Sequence, residues 1–104
     1  MTPKKGKYMK FLQIMEFQGS PEDAEKALQH YIEKADGRSY ARKATICVDR
    51  DNSGTVIQLI EFDSWDEAQK NNELEITEED NQETEETFGD IRFRNLDVFG
   101  EYEV

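Results

Sequence analysis

Two short stretches of this chain are apolar at four of six positions, and the two stretches carry nearly the same residues. Residues 12–17 read Leu-Gln-Ile-Met-Glu-Phe and residues 57–62 read Ile-Gln-Leu-Ile-Glu-Phe, an offset of 45 positions. Short apolar runs of this kind predict strands, whose side chains point alternately to two faces. The first strand is expected over 8–17, with Phe11, Gln13, Met15 and Phe17 on one face and Leu12, Ile14 and Glu16 on the other. The third strand is expected over 55–63, with Val56, Gln58, Ile60 and Phe62 opposed to Ile57, Leu59 and Glu61.

After each copy the period changes to that of a helix. Ser20 is an N-cap, Pro21 takes the first helical position, and Glu22 and Asp23 complement the positive helix end. Ala24, Ala27, Leu28, Tyr31, Ile32 and Ala35 then form one buried stripe of a helix over 20–35, ended by Gly37. Ser64 with Glu67 makes a capping box for a second helix that Asn71-Asn72 ends. Thr77 is expected to cap a third helix over 78–88, whose core-facing stripe is Thr77, Asn81, Thr84 and Phe88. A second strand over 39–49 carries Ala44, Ile46 and Val48, and the turn formers Asp49 to Gly54 make a hairpin of it with the third. A last strand covers 91–99.

The order β-α-β, β-α-β predicts an α+β, ferredoxin-like split repeat. Its four-stranded antiparallel sheet carries helices on one face and the two matching strands at its centre. Residues 8–104 are expected to form one such domain behind a disordered basic tail, 1–7. Both faces of the central strands are apolar, whereas helices cover one. The uncovered face is therefore expected to meet a second copy in a twofold homodimer.

Composition narrows the function. The 104 residues carry a net charge of −11. That excludes a nucleic-acid surface and docking on anionic membranes. No segment approaches the length of a membrane span, and the N-terminus lacks the apolar core of a signal peptide, so a cytoplasmic location is expected. Cys47 is the only cysteine and His30 the only histidine. Cys47 reads as a small strand residue. His30 falls off the helical stripe and is expected in solvent rather than acting as a base. One Cys and one His do not make a transition-metal site, so no metal or cofactor is expected.

Gln13 and Gln58 stand on otherwise apolar faces at equivalent repeat positions. A buried amide must be hydrogen-bonded. Either the two are satisfied by each other or by a partner chain, or they line a cavity and orient a small ligand. Trp65 either staples its helix to the sheet or walls a pocket. Tyr40 and Arg42 can reach a ligand from an edge strand, and Glu16 and Glu61 end their strands as surface partners for Lys or Arg. Nine acidic residues and no Lys or Arg lie between Asn72 and Ile91, which reads as a solvated face.

Several pieces resemble the dimeric α+β barrel superfamily, the group with antibiotic-biosynthesis-monooxygenase-like domains, and in particular its small bacterial members of unknown function. They are Gln58-Leu59-Ile60-Glu61-Phe62, Ser64 with Glu67-Ala68, Asn71, Thr77, Asp49-Arg50-Asp51 with Gly54, and Phe93-Arg94-Asn95-Leu96-Asp97-Val98. The resemblance implies a homodimeric barrel that binds a small apolar or aromatic molecule or acts as a cofactor-independent monooxygenase. Ligand-binding candidates are Gln13, Gln58, Trp65, Tyr40 and Arg42. The alternative is a non-catalytic dimerisation or interaction module. A third reading has the acidic segment recruit a basic partner. The chain departs from the family pattern at 78–87, where relatives carry a more amphipathic helix.

Overall fold

A computed structural model describes residues 10–104. The expected tail, 1–7, and the start of the first strand at residue 8 lie outside them. The elements run β1 (Phe11–Gln18), α1 (Pro21–Ala35), β2 (Lys43–Val48), β3 (Thr55–Phe62), α2 (Trp65–Asn72), α3 (Glu75–Phe88) and β4 (Arg92–Asp97). The sheet order is β2-β3-β1-β4 with every pairing antiparallel, so the two matching strands are its central neighbours. The fold is α+β and ferredoxin-like.

The register of β1 on β3 follows the repeat. Gln13 lies opposite Ile60 and Met15 opposite Gln58, while Phe11 faces Phe62 and Phe17 faces Val56. Phe11, Met15, Phe17, Val56 and Phe62 are buried beneath the helices. Burying a side chain of this kind stabilises by about 1.5–3 kcal/mol. The opposite face carries Leu12, Ile14, Ile57 and Leu59, each half-buried within the chain. At its ends Glu61 meets Lys10 at 3.1 Å and Glu16 meets Arg92 at 3.7 Å, as strand-end carboxylates usually do.

Helix α1 starts where its cap residues place it: the Ser20 hydroxyl accepts from the Asp23 N–H. Ser64 does the same for Glu67 at the head of α2. Strand β4 is shorter than expected, Arg92–Asp97 rather than 91–99, and two element starts move by three residues or more. Helix α3 begins at Glu75, with Leu74 before it and no side-chain cap, and Thr77 lies inside the first turn as a buried residue. Strand β2 begins at Lys43 rather than 39, because the Tyr40 and Ala41 N–H groups are taken by side chains. Only from the Arg42 N–H, which donates to the Glu61 carbonyl, does the ladder with β3 run.

Helix α3 is fixed at both ends. At its C-terminal end Phe88 packs on Phe17 with ring centroids 4.6 Å apart, and it lies against Gly19. A Cβ on Gly19 would sit 2.6 Å from the Phe88 ring, so the close approach requires glycine there. At its N-terminal end Thr77 bonds Tyr31 of α1 at 3.0 Å. The expected stripe of Thr77, Asn81, Thr84 and Phe88 does face inward, with Thr77 and Thr84 buried.

Candidate functional site

Between these two anchors the helices and the sheet do not close on each other. They enclose a cavity of about 390 Å³. Its size follows from the residues that face it. Helix α1 presents Ala24, Ala27 and Ala35, and α3 presents Thr77 and Thr84, all too short to cross the gap. The floor is Gln13, Met15, Gln58 and Ile60 of the central strands. The mouth lies towards edge strand β2, where Ile32, Gly37, Arg42 and Lys43 are both lining and exposed. Ile32 departs from the buried stripe expected of α1. It is 58% exposed because it overhangs this opening instead of packing on side chains.

One end of the cavity is built by a polar cluster. The Asn71 Oδ1 accepts from the Tyr40 N–H at 2.9 Å and from the Ser39 hydroxyl at 3.0 Å. The Tyr31 hydroxyl donates to Ser39 Oγ at 3.1 Å, and with its one proton used there it accepts from the Thr77 hydroxyl. A backbone N–H can only meet an oxygen, so the Tyr40 contact fixes the orientation of the Asn71 amide. Its Nδ2 is then left without a partner among the described residues, although Asn71 is only 5% exposed. Every side-chain N or O fully sealed from solvent does have a partner. The free Nδ2 therefore reaches open space, and Asn71 lines the cavity.

Gln58 is in the same situation on the floor. It is 9% exposed, lines the cavity, and forms no hydrogen bond to a described residue through its amide. Gln13, also on the lining, is diagonal to it across the β1–β3 register and does not bond it. An unmade hydrogen bond on a buried amide costs about 1–3 kcal/mol, so these groups require water or a ligand in the cavity.

Asp80 is the ionisable group on the α3 side. It lines the cavity and is half-buried. Burial pushes its carboxyl up to about 6, helped by Glu83 and opposed by His30 and Lys34. The cations near the cavity are engaged elsewhere. Lys34 pairs with Glu79 at 2.7 Å, which raises its own pKa, and Arg42 pairs with Asp63 at 2.9 Å. His30 is exposed, with its Nε2 3.9 Å from Glu83, as its helical phase requires.

Of the five sequence candidates, the fold brings Gln13, Gln58 and Arg42 to the cavity. Trp65 is not on the lining: its ring packs on Phe11 with centroids 4.9 Å apart and stays 44% exposed, pinning α2 to the central strand β1. Tyr40 packs beside Phe11 and Phe62, and its backbone rather than its ring meets the polar cluster. Tyr31, Ser39, Asn71, Thr77 and Asp80 were not singled out as site residues by sequence. Asn71 and Thr77 read as helix-boundary residues, Tyr31 as core, and Asp80 as one of an acidic run. Among the described residues no group of three or more His, Cys, Asp or Glu is placed to hold a metal ion, and no helix is long and apolar enough to cross a membrane.

No family model matches the chain, and neither does any curated protein sequence. Solved structures share its fold. A Deinococcus radiodurans protein provisionally named an antibiotic biosynthesis monooxygenase superposes with a TM-score of 0.71 at 8% identity, over 90% of this chain and 97% of its own. A Nitrosomonas europaea protein with the same provisional name gives 0.68 at 10%, over 95% and 97%. A substituted form of SnoaB, a cofactor-independent oxygenase from Streptomyces nogalater, gives 0.70 at 9%, over 86% and 93%. At the level of fold, the superfamily resemblance drawn from the sequence is met.

Proposed function

We propose that this chain is a small-molecule-binding protein of the α+β barrel type, which takes an apolar or aromatic compound into the cavity between sheet and helices. One observation carries the reading: the cavity is walled by apolar side chains and short residues, yet the Gln58 amide and the Asn71 Nδ2 lie on it without a partner among the described residues. Mostly apolar pockets with a few convergent polar groups, of roughly 300–1,000 Å³, are the usual form of a ligand site. The likeness of fold to a cofactor-independent oxygenase supports a monooxygenase-type reaction of that compound with oxygen, with no bound metal or cofactor. Tyr31, Gln58, Asn71 and Asp80 are the groups that would touch the substrate.

The test is oxygen uptake and thermal shift across a panel of aromatic, polyketide-like compounds, in the parent and in Gln58→Leu. Turnover or a stabilising shift that Gln58→Leu weakens is the expected result. No uptake and no shift with any compound rejects the reading. A second reading, a non-catalytic binding or dimerisation module, draws on the position of His30: the only histidine stands outside the cavity. Binding without oxygen uptake selects it.

In either case we propose a twofold homodimer through the outer sheet face. Leu12, Ile14, Ile57 and Leu59 lie there together, and no described helix covers them. An apolar patch of that kind is rare on a soluble monomer. Light scattering should give twice the chain mass, and a stable monomer at micromolar concentration rejects the dimer. We also propose a cytoplasmic location, and the net charge of −11 supports a protein that keeps away from nucleic acid and anionic membranes.

A further inference from the structure

We infer that the cavity recognises a small arylalkylamine, with the Asp80 carboxylate receiving its ammonium group and the Gln58 amide and Asn71 Nδ2 receiving the rest of its polar edge. The inference rests on the cavity being a ligand site, as proposed above, and adds the charge of the ligand.

Four observations lead to it. First, Asp80 lines the cavity and takes part in no ion pair among the described residues, whereas its neighbours do. Glu79 is held by Lys34 at 2.7 Å and Glu83 faces His30 at 3.9 Å, one pair on each side of it. Secondly, the cations at the mouth are turned outward. Arg42 is bonded to Asp63 at 2.9 Å, and Lys43 lies 4.0 Å from Glu61 on the far face of the sheet. Among the described residues, a ligand carboxylate would therefore meet no unpaired cation within the cavity, and it would meet Asp80. Thirdly, Gln58 and Asn71 are nine-tenths buried on the same cavity, and the whole Gln58 amide and the Asn71 Nδ2 have no partner among the described residues, so hydrogen-bonding capacity is already in place for a neutral donor or acceptor. Fourthly, α3 carries no Lys or Arg, and the chain as a whole is at −11, so the field at the opening attracts cations and repels anions.

The physical logic is that of an unsatisfied charge. A half-buried carboxylate without a partner is disfavoured, which is why burial raises the Asp80 pKa. An ammonium group brought in by the ligand would supply the missing partner. The proton would then leave Asp80 more readily, because a nearby positive charge favours the ionised form. The charged groups that face Asp80 are few. Helix α1 offers Asp23, Lys26, His30 and Lys34, and α3 offers Glu79 and Glu83.

The experiment compares three ligands of one ring and similar length: tryptamine, tryptophol and indole-3-propionate. They present an ammonium, a hydroxyl and a carboxylate. Titration calorimetry on the full chain at pH 8 and about 150 mM salt, where free-surface attraction is screened beyond roughly 8 Å, measures each against the parent and Asp80→Asn. Nitrogen-15 spectra follow the side-chain amides of Gln58 and Asn71 to locate the binding. Tryptamine is expected to bind about tenfold tighter than tryptophol, a difference of about 1.4 kcal/mol, with the carboxylate weakest. In Asp80→Asn the preference for tryptamine over tryptophol should disappear. Lowering the pH from 8 to 5 protonates Asp80 and should weaken tryptamine in the parent alone. If tryptophol binds as well as tryptamine, or if Asp80→Asn keeps the preference, the amine inference is overturned and the cavity reading stands. If no compound binds and the two amides do not shift, both are overturned.

Discussion

The two halves of this chain use the same strand and different helices. Phe17 and Phe62 end the matching strands and are 3% and 2% exposed, so the halves contribute equally to the core. The helices after them share only their first turn, a serine cap, two acidic residues and a buried alanine, at Ser20 to Ala24 and Ser64 to Ala68. Helix α1 is one segment of 15 residues with an alanine-rich inner stripe. In the second half the chain breaks at Glu73-Leu74 into α2 and α3, and α3 turns threonine, asparagine and aspartate inward. The repeated part of the sequence therefore builds the scaffold and the floor of the cavity, and the part that does not repeat builds its walls. A pair of helices with two apolar stripes would have closed on the sheet.

The largest effect tests the equality of the strands. Phe17→Ala and Phe62→Ala should each lower stability by about 3–5 kcal/mol in urea titrations. A large loss at one and a trivial loss at the other would break the equivalence. The next test separates the polar end of the cavity from the strands. Asn71→Ala removes the acceptor of the Tyr40 N–H and of Ser39, and should cost about 1–3 kcal/mol. Gly19→Ala addresses the opposite end. It drives a Cβ into the Phe88 ring and should also cost about 1–3 kcal/mol, with faster amide exchange in the last turn of α3. A silent Gly19→Ala would mean that α3 is not held there.

Asp80 gives a smaller effect with a definite sign. Its folded pKa, about 6, lies above the ordinary 3.8, so the folded state holds the proton more tightly than the unfolded chain. The stability this provides is fully present below about pH 4 and is lost as pH rises through 6. Asp80→Asn should therefore melt higher than the parent at pH 8, with the gap closing towards pH 4. A gap independent of pH contradicts the burial of that carboxyl. The smallest effect is expected from Lys34→Ala, since both Lys34 and Glu79 are exposed and such pairs contribute little. Its melting temperature should match that of the parent in high salt.

How far the sequence alone reaches follows the same division. The strand pattern placed β1 and β3 side by side, and the caps at Ser20 and Ser64 placed two helix starts, because both signals are local. The Asp49–Gly54 turn is equally local: the Asp51 N–H bonds the Asp49 carboxylate within it. The polar cluster was not legible. Asn71 bonds Tyr40 across 31 positions, and Thr77 bonds Tyr31 across 46. No periodicity reports such pairs, and each residue has a sufficient local explanation as a helix-end residue. Asp80 was hidden among like charges, since only the packing of α3 decides which acid of the run turns inward. The two glutamines were conspicuous for the right reason, a polar residue on an apolar face. Trp65 was conspicuous as a large aromatic at a helix start, and there its stapling role was the one the packing realises.

The account depends on the space between sheet and helices being a compartment for a ligand, and a crystal soaked in indole examines that space directly. The account predicts a flat ring enclosed between α1, α3 and the central strands, within hydrogen-bonding reach of Gln58, Asn71 or Asp80, with the helices unmoved. Helices collapsed onto the strands, with the 390 Å³ void filled by side chains and indole found only on outer surfaces, would contradict it.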